Sequence, residues 1–265
     1  MIVPDRHKPI RSELRGAVMD VVIDSATDLI TVDAMRLLIE AFEAATIENA
    51  LLLVIRSAGD EFTLGRDQNE RVEGLSRDSS LRMILTANDA LRGFPGISIC
   101  AVRGRAFGFG AGLAVQSDLT IAEESASFAF DEVLHGLAPL IVAEYLPRYV
   151  GHKPAADLIF TGRSLSAEEA LRVQLISRVV ADGRLDEHTT ELCDHLMSLE
   201  RGALRLMKRY LLDVGANTLD NPRDSAVTRL DAWLTAGRPD RPGSAGTQGL
   251  PLPRPGASFS DANQT

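Results

Sequence analysis

The sequence contains little cysteine, no excess of positive charge and no long hydrophobic run. Cys100 and Cys193 are the only two cysteines, so a disulfide framework is excluded, and they lack the spacing of metal ligands. The 37 acidic residues outnumber the 28 basic ones, which gives a formal net charge of −9. An acidic chain without a basic cluster repels phosphate polymers, so we expect no nucleic-acid partner.

Segments that could enter or cross a membrane are also missing. The longest uncharged stretches, residues 106–117 and 133–143, are too short to span a bilayer. Charged residues appear within the first eight positions, which contain no apolar run of signal-peptide length. We therefore expect a cytoplasmic protein that does not bind membranes.

Several common catalytic motifs are absent as well. Gly108, Gly110 and Gly112 do not complete a dinucleotide-binding fingerprint, because Leu113 stands where its third glycine would be. There is no Walker sequence, no H-E-x-x-H zinc motif and no G-x-S-x-G nucleophile elbow, and the five histidines are scattered. We expect no metal and no nicotinamide or phosphoryl-transfer chemistry.

What the sequence does contain is an alternation of short β-rich runs and helical patterns. Residues 17–24, 51–56, 97–102 and 118–122 read as strands, and residues 31–45 and 80–91 have apolar positions at helical spacing. Such alternation predicts an α/β fold with a largely parallel sheet. We expect a core over 1–200, a C-terminal helical extension over 201–236 and a flexible Pro/Gly-rich tail over 237–265.

Two glycine-containing segments follow strands in this pattern. One is residues 59–67 and the other is residues 101–113. Where a strand gives way to a helix, free backbone amides and the positive end of the helix dipole can face an oxygen. Two converging amides would form an oxyanion hole. The alternative is that these glycines only permit tight turns and close packing.

Taken together, the two segments are similar to those of the crotonase (enoyl-CoA hydratase/isomerase) superfamily. That family shows an F-x-A-G-x-D-like segment, then A-V-x-G-x-A-x-G-G-G ending in L-A-x-x-x-D. The matching stretches here are Phe62–Asp67, Ala101–Gly110 and Leu113–Asp118, followed by the further landmarks Phe128–Val133, Gly136–Pro139 and Thr161–Ala167. The resemblance covers roughly residues 17–215.

The resemblance implies a spiral of ββα units, assembly as a homotrimer or hexamer, and an acyl-CoA thioester substrate with no separate cofactor. It also implies that the backbone amides of Leu64 and Phe109 bind the thioester oxygen as an enolate develops. The residues that it places at the substrate are Ala26, Gly65, Asp67, Gly108, Gly110, Gly112 and His135.

The two most-used carboxylates of the superfamily fall at Gly112 and Glu132, and only the second is an acid here. We expect Glu132 to be the catalytic acid/base, with a pKa raised by burial. Other carboxyl groups that could contribute are Asp67, Glu70, Glu73 and Asp78. The loop 25–28 lacks the basic residue that usually meets the nucleotide, and Arg66, Arg103 and Lys208 are candidates to replace it.

One glutamate suffices to carry a proton between two carbons of an acyl chain, whereas ordinary hydration in this family uses two. We therefore expect enoyl-CoA isomerisation or hydration. A second possibility is thioester hydrolysis or carbon–carbon cleavage that uses His135 or an acid of residues 67–78. A third is a non-catalytic acyl-CoA-binding or scaffold protein, since Gly112 lacks the acid and Phe109 is bulky.

Overall fold

A large, mostly parallel sheet forms the centre of the molecule. The computed structural model describes residues 8–238. Six strands are arranged in the order β1-β2-β3-β4-β6-β9, in which only the β1–β2 pair is antiparallel. Their bounds are β1 Ile10–Arg15, β2 Val18–Ile23, β3 Leu52–Ser57, β4 Ile97–Val102, β6 Leu119–Glu123 and β9 Arg178–Val180.

The central strands are buried on both faces. Five of the six residues of β3 are buried, and so are five of the six in β4. Alternate side chains of β3 join two different apolar clusters, with Leu53 in one and Val54 in the other. Because helices cover both faces, these strands read as continuous apolar runs rather than as alternating patterns.

A second, three-stranded sheet lies beside the first and completes the spiral. It has the order β5-β7-β8, with β5 Arg105–Phe107, β7 Ser127–Ala129 and β8 Ser164–Ser166. An isolated bridge pairs Thr63 with Ala106 of β5 and extends this sheet by one position. Successive turns of chain therefore run from the large sheet to the small sheet and then into a helix. This arrangement confirms the predicted crotonase-like spiral of ββα units.

Helices fill the remaining layers and continue to the C-terminal end of the described chain. Their bounds are α1 Val32–Ile47, α2 Arg77–Gly93, α3 Phe109–Gln116, a 3₁₀ helix Glu132–His135, α4 Leu140–Val150, α5 His152–Thr161, α6 Ala167–Arg172, α7 Leu185–Ser198, α8 Arg201–Gly215 and α9 Pro222–Thr235. The first helix of the predicted extension, α8, packs onto the core, because Leu204 is buried in the cluster of β3 and β4.

The predicted strands and helices lie close to their observed positions, and the strands β1, β5, β8 and β9 are additions. Three of the five exposed residues of β1 carry charges, so Ile10–Arg15 has little apolar pattern to reveal it. Most of the predicted flexible tail, residues 239–265, lies outside the described residues. Within residues 8–238 no helix is both long and apolar enough to cross a membrane.

Candidate active site

Two loops meet where the small sheet passes into α3. Gly65 follows the bridge residue Thr63, and a Cβ atom placed on Gly65 would stand 3.0 Å from the carbonyl oxygen of Phe107 and 3.5 Å from the amide nitrogen of Phe109. Gly65 has a φ of +92°, which side-chain-bearing residues rarely adopt. The glycine therefore permits both the turn and the close approach of the two backbones.

The amide of Leu64 is not available in this loop. It donates a hydrogen bond of 2.7 Å to the carbonyl oxygen of Asp28, which also accepts from the Thr63 hydroxyl at 2.8 Å. The prediction that Leu64 supplies an oxyanion-binding amide is therefore wrong, because the loop between β2 and α1 already occupies it. On one side of Arg66 the Ile30 amide donates to the Gly65 carbonyl oxygen, and on the other side the Asp67 amide donates to the Ile30 carbonyl oxygen. Within the described chain this leaves the Arg66 amide without an acceptor.

The second amide belongs to Phe109, the first residue of α3. The first amides of a helix have no partner inside it, and they carry the positive end of the helix dipole. Gly108 precedes the helix with a φ of +50°, and its own amide donates to the carbonyl oxygen of Ala129 at 2.8 Å. Phe109 as a whole is 8% exposed. The predicted role of this amide is thus compatible with its position at an open helix start.

The Glu132 carboxyl group lies directly against this helix start. Its Oε1 atom is 3.4 Å from the place where a Cβ atom on Gly108 would stand. Its Oε2 atom is buried and has no hydrogen-bond partner in the described part of the chain. Burial raises the pKa of Glu132, and the nearby Asp131 adds to the rise, while its own backbone amide and His135 oppose it. A carboxyl group with a raised pKa is a stronger base than an ordinary carboxylate, as proton transfer from carbon requires.

Gly112 lies one helical turn after Gly108, and its amide donates to the Gly108 carbonyl oxygen at 3.0 Å. A Cβ atom on Gly112 would stand only 2.7 Å from the hydroxyl oxygen of Tyr145 on α4. Tyr145 is 3% exposed and its ring meets that of Tyr149 edge-on. The space in which a side chain at position 112 would begin is therefore filled by a phenol. No local pattern in the sequence signals this contact.

The remaining predicted substrate residues have varied surroundings. Ala26 is exposed in the loop after β2, which the Asp28 carbonyl ties to residues 63–64. A Cβ atom on Gly110 would stand 2.6 Å from a Thr63 methyl carbon, so Gly110 serves close packing. The His135 side chain is 65% exposed and lies 3.2 Å from the Asp131 carboxylate. The structure therefore does not bring His135 into the hole.

The other candidate acids are used elsewhere or face solvent. Asp67 accepts bonds from the amides of Asn69 and Glu70 at 2.8 and 3.2 Å, and so caps its own turn. Glu70 accepts from the Val32 amide at the start of α1, at 2.6 Å. The exposed Asp78 pairs with Arg82 at 2.7 Å on the surface of α2, and Glu73 is exposed. None of these contacts directs a second carboxylate toward Glu132.

Two of the three cations proposed to meet a phosphate are already paired. Lys208 is 5% exposed, and its ammonium lies 2.8 Å from Asp118 and over the Phe94 ring. It therefore cannot reach a nucleotide in solvent, which corrects that expectation. Arg103 contacts Glu123 and Asp186 at 3.5 and 3.3 Å. Arg66 is half-buried, burial lowers its pKa, and no carboxylate within residues 8–238 forms an ion pair with it.

One known protein family matches most of this chain. The sequence model of the enoyl-CoA hydratase/isomerase family matches residues 18–228. This chain belongs to the crotonase superfamily. Among its relatives is a Thermus thermophilus protein assigned by name as an enoyl-CoA hydratase, 32% identical over 237 residues that cover 87% of this chain and 85% of that one.

Two further members of the superfamily show the range of named activities and ligands. The 1,2-epoxyphenylacetyl-CoA isomerase of Escherichia coli is 34% identical over 179 residues, which cover 65% of this chain and 68% of that protein. A Thermobifida fusca crystal structure, described as an assigned enoyl-CoA hydratase with acetoacetyl-CoA, superposes with a TM-score of 0.76 and 27% identity. The superposition covers 86% of this crotonase-family chain and 96% of the Thermobifida fusca chain. The predicted family is confirmed.

Residues 8–238 contain no group of three or more His, Cys, Asp or Glu side chains that could hold a metal ion. The polar groups that do converge are backbone amides, one carboxyl group and one phenol. Such a set can bind an oxygen that gains negative charge and can move a proton beside it.

Proposed function

We propose that this chain is an acyl-CoA enzyme that moves a proton next to the thioester carbonyl. The amides of Arg66 and Phe109 would bind the thioester oxygen, and Glu132 would act as acid and base. The observation that carries this proposal is the buried Oε2 atom of Glu132, which has no hydrogen-bond partner within residues 8–238, in a carboxyl group beside Gly108, the residue that precedes the open amide of α3. Coenzyme A is then part of the substrate, and no separate cofactor is needed.

The reaction that one carboxylate supports best is a double-bond shift in an enoyl-CoA. The Glu132 carboxylate removes a proton from C2 of a 3-enoyl-CoA, and the electrons move to the thioester oxygen. The two amides stabilise this enolate because they donate where the charge develops. Glu132 then returns the proton to C4, so the double bond moves to C2–C3 and no atom is gained or lost.

The raised pKa of Glu132 fits both halves of this cycle. A carboxylate with an ordinary pKa is a weak base toward a C–H bond, and burial without a cation strengthens it. The same carboxyl group, once protonated, must release the proton again, and a pKa nearer neutrality keeps both forms accessible. The side chains of Arg66 and Phe109 do not enter this argument, because the proposed hole uses their backbone amides.

Hydration of a 2-enoyl-CoA is the second candidate. The names of the relatives include both a hydratase and an isomerase of CoA esters. The observation that favours hydration here is the Tyr145 hydroxyl of α4 at Gly112, because it supplies a second polar group against α3, the helix that begins at the hole. Hydrolysis through His135 has less support, since that side chain is exposed and faces Asp131.

We infer that the nucleotide part of CoA lies near the loop 25–28 and that Arg66 supplies positive charge there. The Asp28 carbonyl holds this loop against residues 63–64, adjacent to the hole. We also infer that the protein assembles as a homotrimer or hexamer. In support, α8 and α9 expose apolar side chains, namely Met207, Leu211, Val214, Val227, Leu230 and Leu234. Light scattering on the purified protein tests the assembly.

The proposed function is tested by incubating the protein with a 3-enoyl-CoA in deuterated water. We expect the double bond to move to C2–C3 with deuterium incorporated, and we expect Glu132→Gln to reduce the rate by at least about a hundredfold. Glu73→Gln is the matched control, because Glu73 is exposed and is not placed at the hole. If Glu132→Gln retained the full rate of proton exchange, the proposed acid/base would be wrong.

A further inference from the structure

The contact between Gly112 and Tyr145 places a hydroxyl group on the same face of α3 as the Glu132 carboxyl group. Glu132 lies against Gly108 and Tyr145 lies against Gly112. These glycines are four residues apart, so they lie on one face of α3 and about 6 Å apart along the helix axis. The carboxyl group and the hydroxyl therefore approach the same face of this helix within about one turn of each other.

The hydroxyl has no internal task that would explain it. The Tyr145 ring is packed in the main apolar cluster, yet its hydroxyl has no hydrogen-bond partner within the described chain. The hydroxyl oxygen is not among the fully enclosed polar atoms of residues 8–238 that lack a partner, so it retains access to solvent or to a ligand. Tyr145 belongs to α4, which packs against α3, the helix at whose start Glu132 lies. An unpartnered hydroxyl beside the candidate carboxyl group therefore points to a ligand.

We propose that the Tyr145 hydroxyl is a further catalytic residue that binds the oxygen atom at C3 of the acyl chain. This inference rests on the proposed function, because it uses the same hole and the same glutamate. The substrate class is then a 2-enoyl-CoA with water, or in reverse a 3-hydroxyacyl-CoA. Tyr145 would supply the polar contact that a carboxylate at position 112 cannot make in this chain.

The reaction balances with one water molecule and one carboxylate. Glu132 takes a proton from the water held between it and Tyr145, and the water oxygen forms a bond to C3. The C2–C3 π electrons move to the thioester oxygen, where the Arg66 and Phe109 amides stabilise the charge. Glu132 then returns the same proton to C2. Tyr145 donates a hydrogen bond throughout and keeps its own proton.

The surroundings of Tyr145 agree with this role. Burial and the nearby Glu132 both raise its pKa, so the phenol remains protonated throughout the physiological pH range. A phenol that stays protonated can donate to an oxygen but cannot easily act as the base. The two groups therefore have different roles. Glu132 moves the proton, and Tyr145 orients the oxygen.

The binding test compares two esters with wild-type protein and Tyr145→Phe. We expect the dissociation constant for 3-hydroxybutyryl-CoA to rise about 2- to 13-fold in Tyr145→Phe, the range that corresponds to one lost hydrogen bond. The dissociation constant for butyryl-CoA should not change. Tyr149→Phe is the matched control, because Tyr149 is on the same helix but lines a separate cavity of about 260 Å³ with Arg92, Gln116 and Asp118.

The activity test separates this inference from the proposed function. Tyr145→Phe should slow water addition to crotonyl-CoA by at least about tenfold while retaining isomerisation of a 3-enoyl-CoA, and Glu132→Gln should abolish both. If Glu132→Gln changed neither reaction, the proposed function would fail. If Glu132 were required but Tyr145→Phe bound and converted both esters like the wild type, only the Tyr145 inference would be overturned.

Discussion

Replacing Gly112 with alanine tests the packing on which the site depends. In a helix interior this change ordinarily stabilises by about 1 kcal/mol. Here the added Cβ atom would stand 2.7 Å from the Tyr145 hydroxyl oxygen, closer than real Cβ contacts. Overpacking of this kind costs about 1–3 kcal/mol. We therefore expect Gly112→Ala either to leave the free energy of unfolding unchanged or to lower it by up to about 2 kcal/mol.

The same change should have the opposite effect once the hydroxyl is gone. In Tyr145→Phe the nearest atom of residue 145 is the ring carbon that carried the hydroxyl, at 3.7 Å, which is an ordinary contact. Gly112→Ala should then stabilise by about 1 kcal/mol, so the coupling energy between the two positions is about 1–3 kcal/mol.

The assay is urea unfolding of the wild type, the two single variants and the double variant, followed by far-ultraviolet circular dichroism. All four are measured at one protein concentration, because self-association would raise apparent stability. Gly215→Ala, at the end of α8, serves as a control, since a Cβ atom there meets nothing within 4 Å. If Gly112→Ala had the same effect on stability with and without the Tyr145→Phe substitution, the reasoning would be refuted.

Three further predictions concern charged groups. Because burial raises the pKa of Glu132, its negative charge destabilises the fold as pH rises through the interval above the ordinary value of 4.5. Glu132→Gln should therefore unfold at higher urea than wild type at neutral pH, and this advantage should disappear in acid; a constant advantage at every pH would contradict the assignment. Lys208→Met should cost about 3 kcal/mol in urea unfolding, because Asp118 loses a buried partner 2.8 Å away but keeps its bonds from Ser98. The same variant should leave the affinity for CoA unchanged, and weakened CoA binding would place Lys208 at the nucleotide after all. Arg66→Gln should weaken CoA binding about two- to fivefold at low salt and less at high salt, as titration calorimetry can measure. An effect independent of salt would argue against a phosphate contact.

The order of the motifs was sufficient to predict the family, the fold and the carboxyl group at Glu132. Local rules explain why the elements could be located. The strand at 97–102 is a short β-rich run and is observed as Ile97–Val102. The capping box at Ser166 predicts a helix start, and the Ser166 hydroxyl does accept from the Glu169 amide at 3.2 Å.

Which backbone amide is free could not be predicted in the same way. The sequence shows that Phe62–Asp67 follows a strand, but every residue in that segment carries a backbone amide. The Leu64 amide is removed from consideration only because the Asp28 carbonyl reaches it from another loop. Such a bond depends on how two distant segments meet, and no local pattern encodes it.

The sequence shows that position 112 is not an acid, but it does not show that the Tyr145 hydroxyl lies beside this position. Gly112 and Tyr145 are separated in the chain by two strands of different sheets and a 3₁₀ helix, and they meet because α4 packs against α3. A tyrosine within an apolar helical pattern is ordinarily a core residue, and its ring is indeed in the core. Only the position of its hydroxyl, beside a glycine, distinguishes it.

The sequence by itself thus determined the superfamily and much of the order of strands and helices, and it predicted Glu132 as the acidic residue for proton transfer. These follow from periodicity, glycine spacing and residue chemistry, which act over a few neighbouring positions. The tertiary structure alone decided that Arg66 rather than Leu64 offers a free amide, that Lys208 is withdrawn into an ion pair, and that Tyr145 reaches Gly112. Each of these depends on contacts between segments far apart in the chain, and such contacts exist only once the layers have packed.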